Sequence, residues 1–491
     1  MEITITRVDG AMSISPAPPY LVEYLQYYHR GLKIVNYRRV NDFEKRLLHQ
    51  SQPDGSILTF PGFYTAACKL IQENNDSVVT VDRRTPLPAV DWKAIQGINW
   101  AGIGSTGLRA YQLEPIAEFL TKAQDTSGII NSTGGTGKTI IQVVTYAAFN
   151  SLNTILAVPL KEVFLQTYDK FRRLLPDKHI GRVGGGFHEP STDITIATFR
   201  SLPSCSIEKC QLLLIDELQS TTGEEISSII CKMQPRRIFG YTATDQGMFN
   251  KAEKLIKGFF GERLIYIPYE DAEKSGAVVP IKVYFLKIPD NVMVTAGTIE
   301  GKMNQGIKQC KVRNQLIGEV CKLVPKDWQT LVFIEHIKQH LIPLSKELPL
   351  GTAYIHRESS KDKIGAFALT AKQQKQVINR IKNNEVQFIC STDLLKAGFD
   401  AVNLRVLIQA SGGSSEVEIL QEAYRISRTL SEHTRLELGA EKKTHGVLID
   451  FEDNHDPALH SMAQKRKEMY AKQGWKIHCI DDPKEIVWTL Q

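Results

Sequence analysis

SGIINSTGGTGKT, residues 127–139, sets a short apolar run before a glycine-rich turn, and the turn opens into the apolar stretch TIIQVVTYAAF, residues 139–149. A phosphate chain needs converging backbone N–H donors, glycines that let the main chain approach, and a cation near the terminal phosphates. Gly134, Gly135 and Gly137, with Thr136 among them, allow the approach; Lys138 is the cation and Thr139 a hydroxyl suited to Mg2+. Ser132 stands where the strict G-x-x-x-x-G-K-[ST] pattern has its first glycine. A strand, a glycine loop and a helix in this order predict an α/β unit with a phosphate site at the helix start.

Further along, LLLIDEL (212–218) closes an apolar strand with two adjacent acids. Alone they would only solvate the strand exit. Paired with the glycine loop, Asp216 is expected to hold Mg2+ through water and Glu217 to orient or deprotonate an attacking water, which points to ATP hydrolysis. Around these motifs the apolar runs SGIINS, TILAVP, ITIATF, LLLIDE and RIFGYT alternate with helical stretches up to about residue 280. The pattern restarts at VPIKVYFLKI and continues through TLVFIE, VQFICS, LRVLIQA and HGVLIDF. Such alternation predicts parallel sheets wrapped by helices. The expected organisation is a small α+β domain over 1–95, a first α/β lobe over 96–280 and a second over 281–491. Residues 288–310, long for a loop, form an excursion that is a hairpin or a flexible segment.

Composition narrows the class without naming it. With 42% hydrophobic and 23% charged residues in 491, the chain reads as globular, and its net charge of +6 fits an anionic partner without being a polybasic tail. The eight cysteines lack C-x-x-C pairs or neighbouring histidines, so reduced thiols of a cytoplasmic protein are expected instead of a zinc site or disulfides. MEITITRVDG has no basic flank before a long apolar stretch, so no signal peptide is expected, and no run approaches a membrane span.

In order along the chain, these motifs resemble those of superfamily 2 helicases, which implies two tandem RecA-like lobes. LRAYQ (108–112) resembles the adenine-reading motif, with Gln112 as the implied adenine contact and Arg109 near the base. VPLKEVFLQ (158–166), through Pro159, and ATFRSL (197–202), through Thr198, resemble strand-contacting motifs. YTAT (241–244) resembles the motif that couples hydrolysis to lobe movement, through Thr242 and Thr244. In the second lobe STDLLKAGFD (391–400) resembles motif V, which implies Thr392 on a strand phosphate and Gly398 and Asp400 beside the nucleotide. QEAYRISR (421–428) resembles motif VI, implying a coupling role for Gln421 and γ-phosphate contacts for Arg425 and Arg428. Two departures stand out: Gln219 replaces a histidine after the acid pair, and Tyr424 stands where motif VI usually has glycine.

The segment GEEISSIICKMQPRRIFGYTAT (223–244), and the N-terminal order of a helix, NYRR (36–39) and DGSILTFPGF (54–63), resemble phage UvsW-like branch-migration helicases and, more distantly, XPB and RecG. The resemblance implies branched DNA, forks and four-way junctions, as substrate, ATP and Mg2+ as cofactors, a monomer, and the host cytoplasm if a phage encodes the chain. Alternatives are an RNA helicase or the motor subunit of a restriction-type complex. At the N-terminus, tyrosines 27, 28 and 37 are interleaved with Arg30, Lys33, Arg38 and Arg39. Such a cluster docks DNA through phosphates and stacked bases, or is a solvated basic face over packed tyrosines.

Overall fold

The computed structural model describes residues 1–35, 38–243, 253–289, 291–356, 365–392, 403–430 and 432–489; over 28–45 it describes backbone only. The chain divides into two compact units, one of Met1–Thr133 with Gly137–Ile267, the other of Pro268–Gln491 with Gly134–Thr136.

In the first unit an eight-stranded sheet runs in the order Phe187–Glu189, Ile180–Gly184, Ile194–Thr198, Thr154–Val158, Leu212–Asp216, Arg237–Thr242, Gly128–Ser132, Arg263–Ile267. Every neighbouring pair is parallel except the first. Parallel strands need both faces covered, which explains the unbroken apolar runs. Leu212–Asp216 is buried at every position, and its side chains alternate between two cores. Leu212 and Leu214 join the helices Ala110–Ala123, Lys138–Ala148 and Lys161–Leu174 on one face. Leu213 and Ile215 face the other way, toward Phe259, Phe260 and residues from the N-terminal region.

That N-terminal region forms its own five-stranded sheet, ordered His49–Ser51, Ile57–Thr59, Ala11–Ser15, Glu2–Val8, Ser77–Asp82. Its apolar face is not closed by its own helices alone: Ile3, Ile5, Met12 and Ile14 share a core with Leu213, Ile215 and Phe259. Phe60 meets Phe259 edge to face at 5.0 Å between ring centroids. Gly62 permits this approach, since a Cβ there would lie 2.2 Å from the Lys257 carbonyl oxygen. Residues 1–95 therefore carry a sheet of their own and belong to the first compact unit by packing. Beside this sheet, Gln26–Val35 and Arg38–Leu47 pair antiparallel through ten residue pairs as a two-stranded ribbon hydrogen-bonded to no other described strand.

The second unit has seven parallel strands in the order Ala353–Ile355, Phe388–Ser391, Gln329–Phe333, Leu404–Gln409, Gly446–Glu452, Ile281–Lys287, Lys476–Ile480. It begins earlier than residue 280 because Tyr269 packs against Tyr424 and Trp475, at 5.7 and 5.9 Å between ring centroids. The 288–310 excursion contains a helix, Ile299–Lys302, that runs on into a π-helical turn, Met303–Lys308. Met303 and Ile307 anchor it to Leu459 of the C-terminal helix Pro457–Lys472. Arg466 of that helix is fully buried and binds Asp450 at 2.9 Å and Asp453 at 3.2 Å, while buried Arg313 binds Asp453 at 2.9 Å. Removing one partner from such a network costs about 3–5 kcal/mol, because the remaining charge is stranded away from water.

Two buried histidines make this unit sensitive to acid. Burial pushes His445 down to about 4, with Lys282 adding repulsion, and pushes His340 well below the ordinary value, with Arg313 adding repulsion. A base depressed in the folded state binds its proton first in the unfolded chain. Stability is therefore fully present above about pH 6.5 and falls as the pH drops toward 4. The urea midpoint of this unit should decline across that window, and His340→Leu combined with His445→Phe should flatten the decline; an unchanged slope in the double variant would contradict the assignment.

Candidate functional site

The glycine loop joins Gly128–Ser132 to Lys138–Ala148, the order expected for a phosphate site. Gly135 and Gly137 hold φ of +87° and +98°, a region that L side chains avoid. Gly137 also lies under Gln112, whose Nε2 would be 2.5 Å from a Cβ at that position. Buried Gln112 accepts from the Arg109 backbone N–H at 3.0 Å, and Arg109 contacts the Tyr111 hydroxyl at 3.4 Å. The sequence motif before the loop and the loop itself thus meet in space.

Lys138 points at the two acids. Its Nζ is 3.2 Å from Asp216 Oδ1 and makes a shorter contact with Glu217 Oε1. Asp216 also accepts from Gln142 Nε2 at 3.1 Å. Burial opposes the lysine charge, but Asp216 and Glu217 outweigh it and raise Lys138 above its ordinary value. Asp216 is raised by burial, with Lys138 opposing and Glu217 reinforcing the shift. Glu217 adopts the left-handed conformation, φ +52°, at the sharp turn out of the strand. This turn brings Gln219 back: its Nε2 donates to Glu217 Oε2 at 2.6 Å, and its Oε1 accepts from the Thr242 hydroxyl at 3.4 Å. Because Arg237–Thr242 lies between the other two strands in the sheet, its end sits among these groups. Sequence reasoning noted Gln219 only as a departure; its side chain bridges the acid pair to Thr242.

Thr136 is buried and Thr139 half-buried at the helix start. Pro159 follows the strand Thr154–Val158, and Thr198 ends Ile194–Thr198 with its hydroxyl donating to Ser201 Oγ at 2.9 Å. These two positions terminate adjacent strands on the edge that carries Asp216. Thr244 lies outside the described residues, as do Gly398 and Asp400. The side chains of Arg30, Arg38 and Arg39 do too, though their backbone is in the ribbon.

In the second unit Thr392 follows Phe388–Ser391 and is buried, its N–H donating to the Ile355 carbonyl at 3.3 Å. Gln421 is half-buried near the end of the helix Glu416–Ala423. The two motif VI arginines differ. Arg425 is 5% exposed, and its Nε donates to buried Glu422 at 3.1 Å. Arg428 is half-buried, and its segment bridges to Val278 while the Ser427 carbonyl accepts from the Val279 N–H at 2.8 Å. Tyr424, in the usual glycine position, is held by aromatic packing on Tyr269 and Trp475 and donates its hydroxyl to Gln473 at 2.6 Å. Among the described residues no cluster of histidine, cysteine or acidic side chains suits a resident metal, all eight cysteines are free, and no helix is long and apolar enough to cross a membrane.

Residues 105–246 match the family described as type III restriction enzyme, res subunit, and residues 312–429 match the helicase conserved C-terminal domain. A viral relative, "Putative helicase 22" of Sulfolobus islandicus filamentous virus (isolate Iceland/Hveragerdi), is 20% identical over 394 residues, covering 73% of this chain and 66% of its own length. Among solved structures, Dbp5 of S. cerevisiae bound to RNA and ADP BeF3 aligns over 80% of this chain and 94% of its own, with 12% identity and a TM-score of 0.54. The type ISP restriction-modification enzyme LlaBIII bound to DNA aligns over 77% of this chain and 32% of its own, with 13% identity and a TM-score of 0.51. T4 UvsW aligns over 98% and 100%, with 16% identity and a TM-score of 0.43.

The contrast between the motif VI arginines has a measurable consequence. Arg425→Ala removes an ion pair with buried Glu422 and should destabilise the second unit by about 1.5–3 kcal/mol. Arg428→Ala, at a half-buried position, should cost less. Denaturant midpoints of the two variants should separate accordingly, and equal losses would contradict the inequality.

Proposed function

We propose that this chain, which belongs to the superfamily 2 helicases, hydrolyses ATP to drive strand movement on branched DNA. The observation that carries the ATPase reading is the linked series Lys138, Asp216, Glu217, Gln219 and Thr242, brought to the ends of three neighbouring strands. Lys138 pairs with both acids, and terminal phosphates would compete for its ammonium. Gln219 holds one oxygen of Glu217, which orients the carboxylate as a base toward water. The same amide contacts Thr242, so a change in charge at Glu217 reaches the end of the neighbouring strand through two hydrogen bonds. Gln112 and Arg109 would read the base beside the loop, with Thr392, Pro159 and Thr198 toward the nucleic-acid backbone.

The oxygen donors present fit a hard divalent cation: the Thr139 hydroxyl and the Asp216 carboxylate, the latter buried and raised in a way a cation would reverse. Mg2+ held there supplies neutralisation of charge on the phosphate oxygens. Arg428, the more exposed of the motif VI pair, is the cation offered to the γ-phosphate, and Arg425 shapes the segment that presents it.

The DNA reading rests on the ribbon Gln26–Val35 and Arg38–Leu47. Its width suits a major groove, and its sequence places Arg30, Lys33, Arg38 and Arg39 along it. The match of residues 105–246 to the type III restriction enzyme res-subunit family supports a DNA reading. Most contacts would go to phosphates, making affinity salt-dependent and largely independent of sequence.

Four measurements test this reading. Lys138→Ala should abolish ATP turnover, and Glu217→Gln should retain ATP binding while slowing hydrolysis by on the order of 100-fold or more; near-normal turnover in either folded variant would remove the site. Arg428→Ala should lower the saturated rate more than ATP affinity, and the reverse pattern would make Arg428 a ground-state ligand. Because the N-terminal sheet shares a core with the first lobe, the substrate test substitutes residues of the ribbon and leaves the sheet in place. Arg38→Ala with Arg39→Ala should weaken junction binding and reduce its salt slope by up to about two phosphate contacts. Forked DNA should stimulate ATP turnover more than linear duplex or single-stranded RNA; a preference for RNA would favour the RNA-helicase alternative.

A further inference from the structure

Within the first unit, a cavity of about 460 Å3 lies between the N-terminal sheet and the lobe it packs on. It is reached from the end of the sheet opposite the acids, since Arg237 opens the strand that Thr242 closes. Four arginines line it, Arg7, Arg84, Arg236 and Arg237, against one acid, Glu262, which already pairs with Lys257 at 3.0 Å. Arg7 and Arg84 share a single counter-ion, Asp82, at 3.7 and 2.5 Å. Arg237 is 3% exposed and spends its two terminal nitrogens on the Arg236 and Gln124 carbonyls. Its Nε is buried with no hydrogen-bond partner among the described residues, and so is that of Arg7.

Positive charge is thus in excess, and the arginines feel one another. Burial pushes Arg237 down to about 10, with Arg84 and Arg7 adding repulsion that Asp9 and Asp82 only partly offset. The same cavity is lined by the apolar side chains Leu58, Phe60 and Phe259 and by the amides of Gln50 and Gln234. Guanidinium groups and aromatic side chains lining one cavity match a phosphate attached to a flat, partly polar body, and the volume is that of a small-ligand pocket.

We propose that this cavity is a second nucleotide site, separate from the glycine loop, that takes one nucleoside monophosphate unit with its phosphate on Arg7 and Arg237. The unit is either a free nucleotide or the phosphorylated terminal residue of a DNA strand. The two sources share one chemistry and are separated by the test. Titration calorimetry of the full chain would use thymidine 5′-monophosphate and a thymidine tetranucleotide with and without its 5′-phosphate. Arg7→Gln removes a phosphate contact. Leu58→Glu places an anion at an exposed position of the wall, where folding is not at stake.

Each substitution should weaken binding by roughly tenfold or more, as loss of a charged hydrogen bond does. Lys138→Ala should leave this binding in place. Binding of the monophosphate identifies a free-nucleotide site, and binding of the 5′-phosphorylated tetranucleotide alone identifies a strand-end site. Absence of binding by both, equal binding of the tetranucleotide without its phosphate, survival of binding in Leu58→Glu, or its loss in Lys138→Ala would each overturn the proposal.

Discussion

The ammonium of Lys138 between Asp216 and Glu217 is the constraint around which three strand ends of the first lobe are arranged. A lysine and two carboxylates cannot be withdrawn from water cheaply, so each has to arrive on a rigid element and find its partners in place. The parallel sheet provides this: Gly128–Ser132 ends at the glycine loop, Leu212–Asp216 ends at the acids, and Arg237–Thr242 lies between them. The apolar strand interiors exist to fix those ends, and the left-handed turn at Glu217 is tolerated because Gln219 and Lys138 hold the carboxylate.

Much of this could be read from the chain. The glycine loop, the acid pair and the ten strands of LLLIDE type are local signals, with buried parallel strands writing continuous apolar runs. The strands that escaped notice are short or carry polar residues, such as Phe187–Glu189 and Lys476–Ile480 at sheet edges. Motif spacing could not distinguish Arg425 from Arg428, because the difference lies in what surrounds each: Glu422 buried beside one, partial exposure of the other. Nor could it foresee Tyr424, whose anchors Tyr269 and Trp475 lie far away in sequence. The arginine cavity was hidden for the same reason, since Arg7, Arg84 and Arg237 become neighbours only after folding.

The second lobe shows a different use of charge. Arg313 and Arg466 are wholly buried, and between them they bind Asp450, Asp453 and the carbonyls of Ala410, Gly412 and Gly413. Apolar side chains could fill that volume, but they could not hold three main-chain carbonyls in fixed positions. The network therefore ties the end of the strand Leu404–Gln409 to the C-terminal helix, and it specifies geometry at a position where a loop would otherwise be free to vary.

The shared core of the N-terminal sheet has a consequence for synthesis. Ile3, Ile5 and Met12 leave the ribosome some 200 residues before their partners Leu213, Ile215 and Phe259 are made. At about 5–20 residues per second, the interval between completing Ser77–Asp82 and reaching Phe260 is roughly 10–40 s. Throughout that time an apolar sheet face stands open on the nascent chain. A delay in translation between these strands and residue 260 would lengthen that exposure, so slow codons would be least tolerable there.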